Sequence, residues 1–168
     1  ESDTRKGVQA YELSAIKTED EFRQVYQKIK NDFNLEPSFE EFVRLYYLHT
    51  SDIKYYSEVA EYEHSLKDKC YIGILSNLCI YDKERIDKQL GLTNYDYVFL
   101  SFEMGLKKPN VEIFRKVLDS VPFKPEEILF IDDLDLNINA ASSLGIKTCK
   151  ITGKELDKIK EVCEVFIK

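Results

Sequence analysis

The stretch ILFIDDLDLN, residues 128–137, decides the fold of this chain. Its apolar run ends abruptly in two adjacent carboxylates, Asp132 and Asp133, with Asp135 and Asn137 close behind. A short apolar run is typical of a buried strand, and charge directly after it is tolerated where the strand reaches the edge of a sheet. The stretch therefore predicts a buried strand that ends at a polar site.

Short apolar runs alternate with helical segments from residue 70 onward. We predict strands over 70–77, 96–101, 128–132 and 146–151, and helices over 82–90, 109–118, 137–144 and 154–162. The runs are apolar throughout rather than alternating, which indicates a parallel sheet covered by helices on both faces. The predicted fold class is therefore α/β.

The first sixty or so residues predict helices instead. Thr18 and Glu21 form a capping-box pattern, and Phe22, Val25, Tyr26 and Ile29 then recur on one helical face. A second pattern of the same kind, Ser38 with Glu41, begins the next helix. The aromatic pairs at 46–47 and 55–56 either line a substrate cleft or pack in the core.

Composition excludes several classes of function. The chain has 168 residues, 43% of them hydrophobic, which is enough for one domain with a real core. Its net charge of −7 argues against nucleic acid or an anionic membrane as a partner. No apolar stretch approaches a membrane span of about 18 residues, and residues 1–20 lack a signal-peptide core, so we expect a cytoplasmic protein.

Neither the cysteines nor the histidines form a metal-binding pattern. The four cysteines are widely spaced, without a C-x-x-C pair, and each lies in or beside an apolar segment: Cys70, Cys79, Cys149 and Cys163. We expect buried free thiols. His49 and His64 are the only histidines, which is too few for a histidine-based site.

Three predicted strands are followed by residues that can take part in chemistry: hydrogen-bond donors, a cation and a pair of carboxylates. They are Ser76-Asn77, Lys107-Lys108 and Asp132-Asp133, and the ends of parallel strands meet at one edge of the sheet. Each has an ordinary explanation by itself: a turn, a solvated surface loop, or an N-cap formed by Asp133 or Asp135. Their order and spacing together favour a binding site.

These segments resemble motifs of the haloacid dehalogenase (HAD) superfamily, in its phosphatase-like branch with a small helical cap. ILSN (74–77) is similar to the second motif, GLKKPNVEIF (105–114) to the third, and LFIDDLDLNINAASSLGIKT (129–148) to the fourth; TEDEFRQVYQKI (18–29) resembles the start of the cap. The resemblance implies a Rossmann-like core over 69–168 and a helical cap with its linkers over 1–68.

The resemblance also implies roles for individual residues. Ser76 and Asn77 would bind the transferring phosphoryl group, and Lys108 would neutralise it. Asp133 would coordinate Mg²⁺ with Asp132 assisting, and the supporting residue Asn137 would orient the loop. These residue types suit the chemistry, because hydrogen-bond donors, an ammonium and a divalent ion all stabilise a phosphoryl group in transfer.

The first motif of the superfamily, an Asp-x-Asp that supplies the nucleophile, is not found in residues 1–168. Glu1 and Asp3 have the spacing but follow no apolar strand, and the pair 133/135 belongs to the fourth motif. The missing strand would lie between those carrying Ser76 and Asp132, where each unpaired buried backbone group costs about 1–3 kcal/mol. We expect it from outside residues 1–168, from a second chain, or from an adapted segment such as 6–13.

The leading hypothesis is a Mg²⁺-dependent phosphatase that acts on a small phosphorylated metabolite through an aspartyl-phosphate. Residues 1–168 on their own are expected to be inactive. One alternative is a HAD-like domain that has lost its nucleophile and binds a phosphorylated ligand or a protein. Another is a 2-haloacid dehalogenase, which the acidic pair disfavours, since a metal-free site gains little from two carboxylates facing an anionic substrate.

Overall fold

The structure, a computed structural model, describes residues 13–50, 56–153 and 155–168. In chain order its helices and strands are α1 (Glu19–Phe33), α2 (Phe39–Thr50), α3 (Ser57–Ser65), β1 (Gly73–Ser76), α4 (Lys83–Leu90), β2 (Tyr97–Leu100), α5 (Ser101–Met104), α6 (Val111–Ser120), β3 (Leu129–Asp132), α7 (Asp135–Ser142), β4 (Lys147–Lys150) and α8 (Leu156–Ile167). Short 3-10 turns lie at Leu13–Ala15, Ile80–Asp82, Leu92–Asn94 and Pro125–Glu127.

The strands form two parallel pairs, β1 with β2 and β3 with β4. Helices cover both faces of the strands. The buried side chains of α6 and α7 pack on one face, and those of α8 pack on the other together with Leu66, which follows α3. The predicted α/β class and the parallel strands are therefore confirmed. Helix α3 packs against α8. The division into a cap with its linkers over 1–68 and a core over 69–168 stays a prediction.

In the part of the chain that the structure describes, a gap separates the two strand pairs. No strand among the described residues pairs with the second edge of β1 or of β3. Between them lies a cavity of about 580 Å³, lined by Gly73–Leu75 and Leu129–Ile131 among others. We call this cavity the sheet slot. The segment 6–13 is one way to fill it that the sequence offers. Its residues 6–12 lie outside the described residues, and Leu13 begins a 3-10 turn.

β1 and β3 run in the same direction on the two sides of the sheet slot. At their N-terminal ends, the ring of Tyr71 lies 5.3 Å from that of Phe123. At their C-terminal ends, Asn77 contacts the backbone of Lys108, whose side chain reaches Asp132. Both strands therefore deliver their last residues to the same edge.

The paired helices α1 and α2 follow the sequence closely. Thr18 and Glu21 form the predicted capping box, and the buried face of α1 carries Phe22, Tyr26 and Ile29. Ser38 accepts a hydrogen bond from the amide of Glu41 at the start of α2 (3.2 Å). The aromatic pair at 46–47 joins this packing, since Tyr46 lies against Phe22 and Tyr47 against Tyr81, whereas residue 55 lies outside the described part.

Several predicted boundaries are wrong by a few residues. The helix predicted from Pro109 begins at Val111, because Asn110 is its N-cap and accepts from the amide of Glu112 at 2.9 Å. The last helix ends at Ile167 rather than 162, since the apolar face continues through Cys163. The helix predicted over 137–144 spans Asp135–Ser142.

The cysteines are free, as predicted: Cys79 and Cys163 are buried, Cys70 and Cys149 half-buried. His64 is exposed, and the side chain of His49 lies outside the described part. Within the described residues, the structure contains no helix of the length and apolarity that crossing a bilayer requires.

Replacing Phe22 by Ala tests the packing of α1. Phe22 is 0% exposed and lies 5.1 Å from the ring of Tyr81, which follows β1. We expect Phe22→Ala to lower the free energy of unfolding by about 3–5 kcal/mol in urea denaturation, because a large cavity forms in the cluster. The exposed neighbour Gln27→Ala should change it by less than about 0.5 kcal/mol. Equal effects of the two substitutions would contradict this packing.

Candidate active site

Three loops meet at the C-terminal edge of the sheet. The side-chain amide of Asn77 donates from Nδ2 to the carbonyl of Lys108 (2.8 Å) and accepts at Oδ1 from the amide of Lys108 (2.8 Å). The Nζ of Lys108 donates to Oδ2 of Asp132 at 2.7 Å. The residues that the sequence places after β1, before α6 and at the end of β3 therefore lie together.

The ion pair of Lys108 with Asp132 is buried. The two side chains are 11% and 6% exposed, and Lys108 Nζ also lies 5.3 Å from the ring centroid of Phe130. Oδ1 of Asp132 accepts from the amide of Leu134 (2.9 Å) and from Nδ2 of the buried Asn137 (2.8 Å). Both oxygens of this carboxylate are therefore held by donors.

These contacts set the protonation state of Asp132. Burial acts to raise the pKa of its carboxyl, but the hydrogen bonds from Lys108, Leu134 and Asn137 together lower the pKa below its ordinary value. The carboxylate is therefore charged at neutral pH, as a partner for a lysine or a cation must be.

Asp133 and Asp135 do not cap the following helix. The N-cap of α7 is Leu134, without a side-chain hydrogen bond, and Asp135 pairs with Lys150 at 2.6 Å. The ordinary N-cap explanation of the acidic run is therefore wrong for both residues. Asp133 is exposed beside the buried Asp132, so its carboxylate faces solvent at the edge of the site.

Ser76 is the half-buried last residue of β1, directly before Asn77. The loop that follows is held by Ser101, whose hydroxyl accepts from the amide of Leu78 (2.9 Å) and lies within hydrogen-bond distance of the carbonyl of Ser14. Ser101 is 0% exposed. Sequence analysis missed it, because a serine after a strand carries no signal of a partner so distant in the chain.

A second buried carboxylate, Asp82, ties α2 to the same loop. It accepts from the hydroxyl of Tyr46 (2.6 Å) and from the amide of Cys79 (3.0 Å), and it pairs with Arg85. Burial is the main cause that raises the pKa of Tyr46, followed by this hydrogen bond, and burial raises the pKa of the Cys79 thiol to about 11. Both groups are therefore neutral packing elements.

The donor set fits part of a magnesium site. Among the described residues, no group of three or more His, Cys, Asp or Glu side chains lies close enough to hold a metal. Mg²⁺ is commonly bound through one or two carboxylates, with water and substrate phosphate completing the octahedron. The exposed carboxylate of Asp133 suits that role, while Asp132 is engaged by Lys108 and Asn137.

A family model described as haloacid dehalogenase-like hydrolase matches residues 6–151, which is most of the chain. This chain belongs to that family. The match includes β1, α6 and β3, which supply the residues of the candidate site. The roles of Ser76, Asn77, Lys108, Asp132, Asp133 and Asn137 stay predictions.

Three relatives match shorter segments of the chain. Bifunctional epoxide hydrolase 2 of Rattus norvegicus is 31% identical over 71 residues, 39% of this chain and 13% of that protein. Glyceraldehyde 3-phosphate phosphatase of Methanopyrus kandleri is 32% identical over 81 residues, 47% of this chain and 34% of that protein. D-ribitol-5-phosphate phosphatase of Bacteroides thetaiotaomicron is 38% identical over 53 residues, 32% and 26% of the two lengths. The matches thus span about a third or less of these relatives.

Solved structures share the fold over most of the chain. A HAD-like family hydrolase from Porphyromonas gingivalis aligns with a TM-score of 0.73 and 26% identity, covering 93% of this chain and 77% of that one. A HAD family enzyme of Bacteroides thetaiotaomicron, in complex with magnesium and inorganic phosphate, has a TM-score of 0.70 and 24% identity, covering 86% and 74%. The second likeness shows the fold alone.

The pKa of Asp132 provides a test of the site's electrostatics. An Asp with a lowered pKa contributes stability that is present above the ordinary value of about 3.9 and is lost as pH falls through the lowered pKa. We expect Lys108→Met to raise the pKa of Asp132, because its strongest hydrogen-bond donor is removed; carboxyl NMR titration measures the change.

Lys150→Met is the matched control, since Lys150 lies beside Asp132 in the β3–β4 register but pairs with Asp135. We expect a much smaller change in the pKa of Asp132 in this variant. Equal shifts in the two variants would show that general positive charge, rather than the buried ion pair, governs Asp132.

Proposed function

We propose that this HAD-family chain belongs to a Mg²⁺-dependent phosphohydrolase of small phosphorylated metabolites. The observation that carries the proposal is the convergence of Asn77, Lys108 and Asp132 at one sheet edge, with the exposed carboxylate of Asp133 beside them. The matches to two phosphatases of sugar phosphates and related compounds support it at low coverage.

Each residue has a distinct task in this proposal. The hydroxyl of Ser76 and the ammonium of Lys108 bind the oxygens of the transferring phosphoryl group, where negative charge is spread in the transition state. Asn77, predicted as a phosphate ligand, uses both ends of its amide on the backbone of Lys108, so it also positions that lysine.

The acids act on the other side of the phosphoryl group. Asp133 would hold Mg²⁺ with the help of Asp132, and Asn137 keeps the Asp132 carboxylate in place. When bound, Mg²⁺ supplies positive charge to the phosphoryl oxygens. Lys108 and the metal together would offset the dianion of a phosphate monoester.

The nucleophile in this proposal is an aspartate outside residues 1–168, at the end of a strand that fills the sheet slot. Its carboxylate oxygen attacks phosphorus, the bond from phosphorus to the substrate oxygen breaks, and the leaving alcohol takes up a proton. Water then hydrolyses the aspartyl-phosphate, which releases inorganic phosphate and restores the carboxylate. Without that aspartate, residues 1–168 alone are expected to be inactive.

The helices α1 and α2 belong to the proposed cap that selects the substrate. They are anchored to the loop after Ser76 through Tyr46 and Asp82, so the cap lies against the element that carries the phosphate-binding residues. No nucleic acid or membrane partner is proposed, since the net charge is −7.

A second candidate is a HAD-like binding domain without catalysis. It is motivated by the Asp-x-Asp motif, which is not found in residues 1–168. Such a domain would bind a phosphorylated ligand through Lys108 and Ser76 but would not turn it over. A 2-haloacid dehalogenase is a third and weaker candidate, and chloride release from 2-chloropropionate would reveal it.

Turnover of p-nitrophenyl phosphate by the natural full-length protein, with and without Mg²⁺, tests the proposal. We expect Mg²⁺-dependent hydrolysis that falls at least about 100-fold in Lys108→Ala and in Asp133→Asn, since each removes a charge that acts on the phosphoryl group. Arg115→Ala is the matched control: it removes an exposed cation paired with Glu112 on α6 and should leave the rate within about twofold.

The folded state of each variant is checked by circular dichroism. Absence of turnover with and without Mg²⁺, from a folded full-length sample that still binds phosphate through Lys108, would favour the binding domain. Turnover that is insensitive to Asp133→Asn would remove that residue from the proposed metal site.

A further inference from the structure

The loop directly after β1 carries Asn77, whose side-chain amide holds the backbone of Lys108 through both of its ends. Two residues further on, the amide of Cys79 donates to Oδ2 of Asp82 (3.0 Å). Because only one residue separates Cys79 from Asn77, a contact that holds the amide of Cys79 also restricts where Asn77 lies. Asp82 therefore acts on the loop that positions a lysine of the candidate site.

The buried carboxylate of Asp82 is not used to cap the helix that follows it. Asp82 occupies the N-cap position of α4, but its side chain makes no capping hydrogen bond to that helix. It accepts instead from the amide of Cys79 and from the hydroxyl of Tyr46, and it pairs with Arg85. Asp82 is only 4% exposed, and a carboxylate so buried needs such donors.

Tyr46 brings the helix α2 into this contact. Its hydroxyl donates at 2.6 Å to Oδ2 of Asp82, the same oxygen that accepts from the amide of Cys79. Tyr46 lies 36 positions before Asp82 in the chain, so one carboxylate oxygen joins a distant helix to the loop after β1. A shift of α2 against this loop therefore changes the contact that holds Cys79.

Apolar packing ties the same two segments together. Cys79 is part of the buried cluster that contains Phe22 of α1 and Phe39 of α2. The ring of Tyr81 lies 5.1 Å from that of Phe22 and 6.2 Å from that of Tyr47. The loop after β1 therefore packs as part of the layer formed by α1 and α2.

The segment before α1 reaches the same loop by a second route. The amide of Leu78 donates to the hydroxyl of Ser101 (2.9 Å), which also contacts the carbonyl of Ser14. Ser101 is 0% exposed, so this contact is closed to solvent. The helix pair α1 and α2 is thus connected to the loop on the side of Ser14 through Ser101, and on the side of α2 through Asp82.

We infer that Asp82 is a positioning residue, which couples the place of α2 to the places of Asn77 and Lys108 through the amide of Cys79. Its effect on turnover rests on the proposed function, in which α1 and α2 belong to the cap and Lys108 binds the phosphoryl group. In that setting, the contact of Tyr46 with Asp82 aligns the lysine when the cap lies against the loop. Substrate bound to the cap then affects the alignment of the phosphate-binding residues.

Amide hydrogen exchange in the natural full-length protein measures this coupling without any turnover. Tyr46→Phe removes the donor to Asp82 and keeps the ring. We expect the amides of Cys79 and Lys108 to exchange at least about threefold faster in this variant, because a hydrogen bond to a charged group is lost and the loop opens more often. The amide of Glu112, which is also held by an asparagine side chain, should exchange at an unchanged rate.

Tyr47→Phe is the matched control. It removes the same hydroxyl from the next residue of α2, whose ring packs on Tyr81. We expect exchange at Cys79 and Lys108, and turnover of p-nitrophenyl phosphate, to stay within about twofold of the unsubstituted protein.

Turnover of p-nitrophenyl phosphate shows whether the coupling passes through Asn77. We expect Tyr46→Phe to lower kcat at least about fivefold, because Lys108 is less well placed in the transition state. With Asn77→Ala already present, Tyr46→Phe should lower kcat by less than about twofold, since residues that act through one another have non-additive effects. Circular dichroism confirms that each variant is folded, and a purely structural role of Tyr46 would lower kcat by the same factor in both backgrounds.

Two results would overturn the inference: exchange at Lys108 that Tyr46→Phe leaves unchanged, and equal factors in kcat with and without Asn77→Ala. Failure of the proposed function is a separate outcome. If the protein does not hydrolyse p-nitrophenyl phosphate, the proposed function fails, and the exchange rates alone decide whether Asp82 couples α2 to Lys108. If hydrolysis proceeds and the two tyrosine variants show the same exchange rates, the coupling fails and the proposed function stands.

Discussion

The buried ion pair between Lys108 and Asp132 holds the two halves of this sheet together at the functional edge. Lys108 lies in the segment whose backbone is bound by Asn77, the residue that follows β1. Asp132 ends β3, on the far side of the sheet slot. Removing either member of such a pair leaves an uncompensated buried charge, which typically costs about 3–5 kcal/mol. The pair therefore constrains both the separation of β1 from β3 and the place of the lysine in the site.

Local features of this chain are the ones that its sequence predicts well. The capping box of Thr18 and the acids that end β3 are encoded within a few residues, and the structure has them where expected. The start of α6 is set by the single N-cap Asn110, which competes with a proline at 109 that sequence patterns favour as a first-turn residue. Boundaries of this kind depend on one hydrogen bond.

Contacts between residues that are far apart in the sequence cannot be predicted from such local patterns. Asn77 and the backbone of Lys108 are 31 residues apart, and Ser101 reaches the carbonyl of Ser14 across 87 positions. A serine or asparagine after a strand has the same appearance whether it ends a turn or anchors another loop. The sheet topology is enough to predict that the site residues lie at one edge. Which of them binds the ligand, and which positions another residue, depends on these contacts between distant segments.

The sheet slot and the candidate site lie at the same edge of the sheet, so a strand that completes the sheet also affects the site. Gly73, Leu75, Leu129 and Ile131 line one apolar cavity, and backbone groups at the edges of such a cavity favour a strand that pairs with both edges. Any parallel strand that does so must end between Ser76 and Asp132. The residue that follows such a strand would therefore lie beside Lys108 and Asp133, which is where the proposed function places its nucleophile.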